Sequence, residues 1–229
     1  MRRTVYGAVL LTVPGLLAGQ SVRHESQPVR YEVADSGNEA RFLVREQLAG
    51  ATLPNDAIGR TAAVTGAIVL DAQGKVVAGS SEIRVDLRTL QSDQPRRDNY
   101  IKRRTLIVDS FPFAVFRVRE LRGLPADLPA GRSLAFSVVG DLTVHGVTAP
   151  AVWSATAHVA EGGAITGRAE TRFTFGTFGM QRPRVMVVLS VEDEIRLEYD
   201  FRFVREEVPA DGGQGGGALG SHPADGRGL

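Results

Sequence analysis

The clearest signal in the chain is a period of two. In Glu82-Ile83-Arg84-Val85-Asp86-Leu87-Arg88 every odd position is apolar and every even one charged. The same alternation runs without a fault from Glu194 to Phe203. From Thr166 onward, Gly167, Ala169, Thr171, Phe173 and Phe175 share one side, while Arg168, Glu170, Arg172 and Thr174 share the other. Leu134, Phe136, Val138, Leu142 and Val144 form another such face, with Gly140 between them. Weaker matches fall at 41–45, 62–70, 113–119, 151–159 and 185–191. Strict alternation specifies strands with one dry face and one wet face. About nine strands follow, most of them long.

Turn signals separate these segments. Asp71-Ala72-Gln73-Gly74 and Glu161-Gly162-Gly163 read as hairpin loops, and 125–131 as a longer polar loop. One stretch reads as a short helix near 95–108, with Asp93 as its cap and Pro95 in its first turn. Long antiparallel strands in meander order must close or stack, and closure removes the exposed edges. The fold class is therefore all-β, an antiparallel barrel of about eight strands, whose lumen is filled by side chains or holds one small ligand. Lined by Ile, Val, Leu and Phe, such a lumen is an apolar tube suited to a long hydrocarbon. The inverse arrangement, an outer-membrane barrel with its apolar face toward lipid, needs aromatic girdles. Past the first twenty residues the chain has only Trp153 and three tyrosines, Tyr31, Tyr100 and Tyr199.

The two ends differ from the middle. Met1-Arg2-Arg3 followed by the mostly apolar Val5–Leu17 and the small Ala18-Gly19 has the layout of a secretory signal peptide over 1–20. Gln20 stands where a lipid-anchored protein would carry cysteine. The expected localisation is periplasmic or secreted, without a lipid anchor. Residues 207–229 are rich in glycine and lack apolar periodicity, so they read as a disordered tail. One domain remains, over 28–206.

Composition narrows the function classes. Lys+Arg total 27 and Asp+Glu 26, a formal charge of +1 that becomes −1 once Arg2 and Arg3 are removed. No whole-chain affinity for nucleic acid is implied. The absence of cysteine excludes disulfides, thiolate metal sites and a catalytic thiol. The histidines lack metal-ligand spacing, and no Gly-x-Ser-x-Gly elbow or phosphate-binding glycine loop is present, so no metal and no cofactor are expected. Asp98 and Asp141 are the acids a hydrolytic reading would use, against a bland role for Asp98 near the helix start. Arg96, Arg97, Lys102, Arg103 and Arg104 cluster in the helix. They form either a solvated face or a patch that steers the barrel mouth to an anionic surface, a peripheral membrane contact.

Gly140-Asp141-Leu142-Thr143-Val144-His145-Gly146-Val147-Thr148-Ala149-Pro150 resembles the most recognisable stretch of the YceI-like, polyisoprenoid-binding family. Tyr31–Asp35 resembles the family's opening strand, Arg97–Ile101 the start of its helix, Asp109–Phe116 its Asp-x-x-x-Tyr-Pro-x-x-x-Phe stretch, and Phe173–Gly176 its late Phe-Gly strand. The segments occur in the family's order across about 30–204. The resemblance implies a lipocalin-like barrel, periplasmic or secreted, with an elongated pocket for an isoprenoid-type chain. The chain also departs from the pattern. Asn38-Glu39 and Glu46 stand where a His-Ser pair and a second histidine are usual, and Tyr100 stands where histidine is common. These changes imply a different head-group preference. Leu48–Gly59 reads as an insertion or divergent loop.

The expected function is binding and sequestration or transport of a long apolar lipid, a polyprenyl chain or prenylated quinone, without catalysis. The alternatives are a hydrolase acting on such a lipid and a ligand-free, stress-related structural protein. Apolar-phase positions make Phe42, Val85, Phe116, Phe136, Val138, Trp153, Phe173, Phe175, Leu197 and Phe201 the candidate lumen residues. His145 is read either as a polar contact at the rim or as a turn histidine bonded to backbone.

Overall fold

The structure, a computed structural model, describes residues 27–125, 130–186 and 188–206. The segments read as signal peptide and tail lie outside the described residues. Ten strands form one antiparallel sheet: β1 (Val29–Val33), β2 (Glu39–Leu48), β3 (Asn55–Thr61), β4 (Val64–Leu70), β5 (Glu82–Asp86), β6 (Phe113–Arg122), β7 (Ser133–Val144), β8 (Val147–Val159), β9 (Ile165–Thr174) and β10 (Val188–Arg205). β1 bonds to both β4 and β10, and these pairings close eight strands into a barrel. β2 and β3 extend that barrel at one end. β10 lies against β2 over Val188–Asp200 and then against β1 over Phe203–Arg205. The first stave is thus a single strand broken at Ala34–Asn38, and the second is broken between Thr61 and Val64. Sequential hairpin order, inferred from the short loops, is the observed order.

Asn38 secures the first break. Its side chain is buried, donates to the Ala34 carbonyl at 2.7 Å, and accepts from the Arg202 amide at 3.0 Å and the Tyr199 hydroxyl at 2.8 Å. All of its hydrogen-bonding capacity on the oxygen side is used, as a buried amide requires. β7 and β8 meet through the two-residue turn His145-Gly146, both at positive φ (53° and 75°). That turn matches the right-handed twist of the strands it joins.

Two sequence expectations need correction. The Leu48–Gly59 stretch is not simply a loop: it holds most of β3, in register with β2 from Ala40↔Thr61 to Glu46↔Asn55. The expected helix is shorter than 95–108. A six-residue helix α1 (Pro95–Tyr100) passes into one wide π turn at Ile101–Thr105, and Ile107 then takes a positive φ of 50°. Pro95 occupies the first turn as expected. Gln94, rather than Asp93, stands at the cap, and Asp93 pairs with Arg97 instead.

The open edge of β3 carries only a short bridge, Arg60 to Gln91, with reciprocal bonds of 2.8 and 2.9 Å. The connection holding α1 sits beside that edge. Apolar side chains inside the barrel gather in two clusters. One, at the α1 end, centres on Phe116, Val144, Phe175 and Phe178, with Phe178 only 1% exposed and edge-on to Phe173. The other, toward the far end, centres on Ile83, Ala157, Ala169, Phe201 and Phe203.

Candidate ligand-binding lumen

The inward face of β8 reads Ala149, Ala151, Trp153, Ala155, Ala157, Val159, and β9 adds Gly167, Ala169 and Thr171. Apart from Trp153, which packs against Phe116, side chains this small cannot meet across a barrel of eight strands. They leave a cavity of about 730 Å³, within the roughly 300–1,000 Å³ range of small-molecule sites. Its lining runs the length of β10, from Val188 and Val191 through Leu197 to Phe201 and Phe203. The exposed lining residues, Ala49, Asn55, Asp93, Gln94 and Arg96, all lie at the end that carries the β2–β3 hairpin and α1. The cavity therefore opens there. The far end is lined by the apolar and less exposed Leu70, Leu124, Leu134, Val159 and Ile165.

Glycines let the large rings lie back against the wall. Phe42 on β2 pairs with Gly59 on β3, and a Cβ at Gly59 would stand 2.1 Å from the Phe42 ring. Phe201 pairs with Gly167, where a Cβ would meet the ring at 2.5 Å. Phe116 covers Gly140, whose Cβ would lie 2.9 Å from it. In each hairpin an aromatic ring fills the space that a neighbouring side chain would take. The ring lies along the sheet and leaves the axis of the barrel free.

Ten of the eleven candidate residues line this cavity: Phe42, Val85, Phe116, Phe136, Val138, Trp153, Phe173, Phe175, Leu197 and Phe201. Phe175 does so from a 3-10 turn at Phe175–Phe178 that follows β9. His145 does not line it. Its Nδ1 lies 3.2 Å from the Phe178 carbonyl, and its ring stands edge-on to Phe111 at 5.2 Å. It is a turn histidine tied to backbone.

One charged pair sits in the mouth. Glu46 follows Phe42 and Val44 on the inward phase of β2 and is 8% exposed at its side chain. Arg97 of α1 reaches down to it, Nη2 to Oε1 2.7 Å, and also holds Asp93. The pair was not singled out as a site from sequence. Its signal is a lone acid on an otherwise apolar face, Phe42-Val44-Glu46-Leu48. The remaining helix cations, Arg96, Arg103 and Arg104, point to solvent, and Lys102 is half-buried.

The acids of a hydrolytic reading are engaged elsewhere. Asp98 accepts from the Ser92 hydroxyl at 2.6 Å and amide at 2.8 Å. Asp141 pairs with Arg119. Among the described residues no three His, Cys, Asp or Glu side chains are grouped to hold a metal ion. On the outer side of the β9–β10–β2 wall, Arg41 contacts Glu39, Glu198 and Asp200 at 2.6, 3.2 and 2.7 Å, and Arg168 holds Asp200 at 2.7 Å. The Arg168 hydrogen bond, aided by Arg41, brings the Asp200 carboxyl down to about 2. Asp200 in turn raises the Arg41 guanidinium further above its ordinary range. Burial pushes the Tyr199 phenol up. The lumen itself offers mostly apolar surface along its length, with its charged groups at the mouth and the unpartnered indole Nε1 of Trp153 on the β8 wall.

Comparison with known proteins bears on this geometry. A family model for the YceI-like domain matches residues 31–203. Among solved structures, a polyisoprenoid binding domain from Saccharophagus degradans implicated in plant cell wall breakdown aligns with a TM-score of 0.60 at 10% identity, covering 76% of this chain and 97% of that one. BcnA of Burkholderia cenocepacia aligns at 0.51 and 14% identity, covering 74% and 98%. The YceI protein of Campylobacter jejuni aligns at 0.50 and 15% identity, covering 70% and 91%. At these identities the likeness is one of fold. No curated protein matches the sequence.

Proposed function

The chain belongs to the YceI-like domain family, and from that premise we propose that it binds a long apolar lipid of the isoprenoid type inside its barrel. A polyprenyl chain or a prenylated quinone fits the chemistry. The observation that carries the reading is the apolar cavity of about 730 Å³ running the length of β10. The polar groups at its opening, Asn55, Asp93, Gln94 and Arg96 among them, are gathered on the elements that carry Glu46 and Arg97. The tail of the guest lies along the lumen, and its polar end remains at the mouth. Binding of this kind sequesters or carries the lipid without changing it. The structure of the polyisoprenoid binding domain in the same fold supports this class of guest. The N-terminal pattern of Met1 to Gly19 supports a place of action in the periplasm or outside the cell.

Native mass spectrometry of protein purified from its own host tests the reading. The expected result is a stoichiometric adduct that extracts into organic solvent as a prenyl lipid. A clean unliganded mass, or an extract whose lipid leaves chemically altered by the protein, overturns it.

A further inference from the structure

We propose that the open end of the barrel is a docking face for an anionic phospholipid bilayer. The proposal goes beyond the lumen reading and stands without it. Four connections meet at this end: β2–β3, β5–β6, β7–β8 and β9–β10. Each of them, or the strand end beside it, presents a large exposed apolar side chain. These are Leu53 (74% exposed), Ile107, Val147, and the pair Met186 and Leu189 (101% and 69%). Only one other large hydrophobic is comparably exposed among the described residues, Val152 on the barrel wall. The connections at the opposite end carry none among the described residues. Large apolar groups held in water on one end alone mark an interaction surface.

Charge states what that surface meets. Arg96, Lys102, Arg103, Arg104, Arg182 and Arg184 lie on the same connections, and among the described residues none of them is in an ion pair. The acids there without an ion-pair partner are Asp98, Asp109, Glu192 and Asp193. Unpaired cations outnumber unpaired acids six to four. Apolar side chains interspersed with basic ones fit the boundary of headgroup and acyl chain, where each cation is drawn to anionic lipid. The same end carries the mouth, lined by Asn55, Arg96 and Val185, so docking sets the opening against the bilayer.

Vesicle flotation tests this, using the chain as its own host makes it. Vesicles of phosphatidylcholine with phosphatidylglycerol are compared with phosphatidylcholine alone, at low salt. The wild type is expected to float with the anionic vesicles. Arg103→Gln with Arg104→Gln should weaken that binding roughly thirty-fold. Leu53→Asp with Met186→Asp should abolish it, and Val152→Asp should leave it unchanged. Thermal unfolding of each variant verifies that the barrel is intact. Wild type that stays in the bottom fraction, as it would if the ring served a protein partner, overturns the proposal. Flotation that survives in Leu53→Asp with Met186→Asp, or that is lost equally in Val152→Asp, also overturns it. Lumen occupancy, read separately by native mass spectrometry, is independent of every one of these outcomes.

Discussion

Arg97 of the helix reaches Glu46 of the barrel wall at 2.7 Å, across the opening of the lumen. The two residues are 51 positions apart in sequence, and their ion pair fastens α1 to β2. A buried charge that loses its partner is strongly destabilising, while replacing both charges with apolar groups is often neutral. Arg97→Ala should therefore cost about 3 kcal/mol, a fall of roughly 6–12 °C in Tm for a chain of this size. Glu46→Leu combined with Arg97→Leu should recover most of that loss. Calorimetry of the three proteins decides the matter. A double variant no better than Arg97→Ala would show that the pair acts through something other than mutual neutralisation.

Gly59 and Phe42 form a second coupled pair. Gly59→Ala places a methyl where the Phe42 ring now lies and turns that ring toward the lumen. Overpacking of this kind costs about 1–3 kcal/mol. Phe42→Leu in the same protein should restore stability. Chemical denaturation of the single and double variants gives the coupling, and simple additivity would contradict the nesting described above.

Filling the cavity separates ligand binding from folding. Ala169 lines the lumen and is 6% exposed. Ala169→Leu should remove the bound lipid seen by native mass spectrometry. It should also stabilise the unliganded barrel by up to about 2 kcal/mol, because apolar surface is buried where a void stood. Retention of full lipid occupancy would count against the lumen as the binding site.

Asp200 sets a pH dependence. Its carboxyl is held down at about 2 by Arg168 and Arg41, below its ordinary 3.8. A depressed folded-state value stabilises the native state above the unfolded value, and the contribution is lost as pH falls toward about 2. The side chain is 37% exposed, so solvent screening reduces the effect to about 1 kcal/mol. Asp200→Asn should lower Tm at neutral pH by roughly 2–4 °C. The gap between the two proteins should close on acidification through the interval from 3.8 to about 2. A gap that persists at the acid end would assign the loss to packing instead.

His145 should prove dispensable for binding. Asparagine tolerates the positive φ found there, so His145→Asn should fold and keep its lipid. Loss of lipid in a folded variant would return this residue to the rim.

The long strands were legible because their inner and outer faces differ in polarity residue by residue, as in Glu194–Phe203. β3 was not, for a reason now visible. Its inward positions are Ala57, Gly59 and Thr61, small or polar, with the Phe42 ring in front of Gly59 and the Thr61 hydroxyl bonded to Thr89. A strand whose apolar face is supplied by its neighbour has no alternation of its own. The helix was found from Pro95 but drawn too long, since the apolar Ile101, Leu106 and Val108 continue past Tyr100 through a π turn and a left-handed residue. Ten lumen positions followed from strand phase alone. The Glu46–Arg97 pair needed the folded structure, because one partner lies on a strand and the other on a helix that crosses over it.

The glycine–phenylalanine nests occur in three separate hairpins, β2–β3, β6–β7 and β9–β10. The calibre of the bore is consequently fixed by couples that span two staves, not by single residues. At the β2–β3 sector, where the Phe42 ring alone stands against Gly59, narrowing or widening it takes two concerted exchanges, a larger residue for glycine and a smaller one for its ring. At Gly140 and Gly167 a Cβ would also meet the backbone oxygen of Arg117 or Thr156 at 2.1 Å, and the glycine is held by the main chain. A lineage can regauge that first sector of the tube in this way while the other two keep their fit.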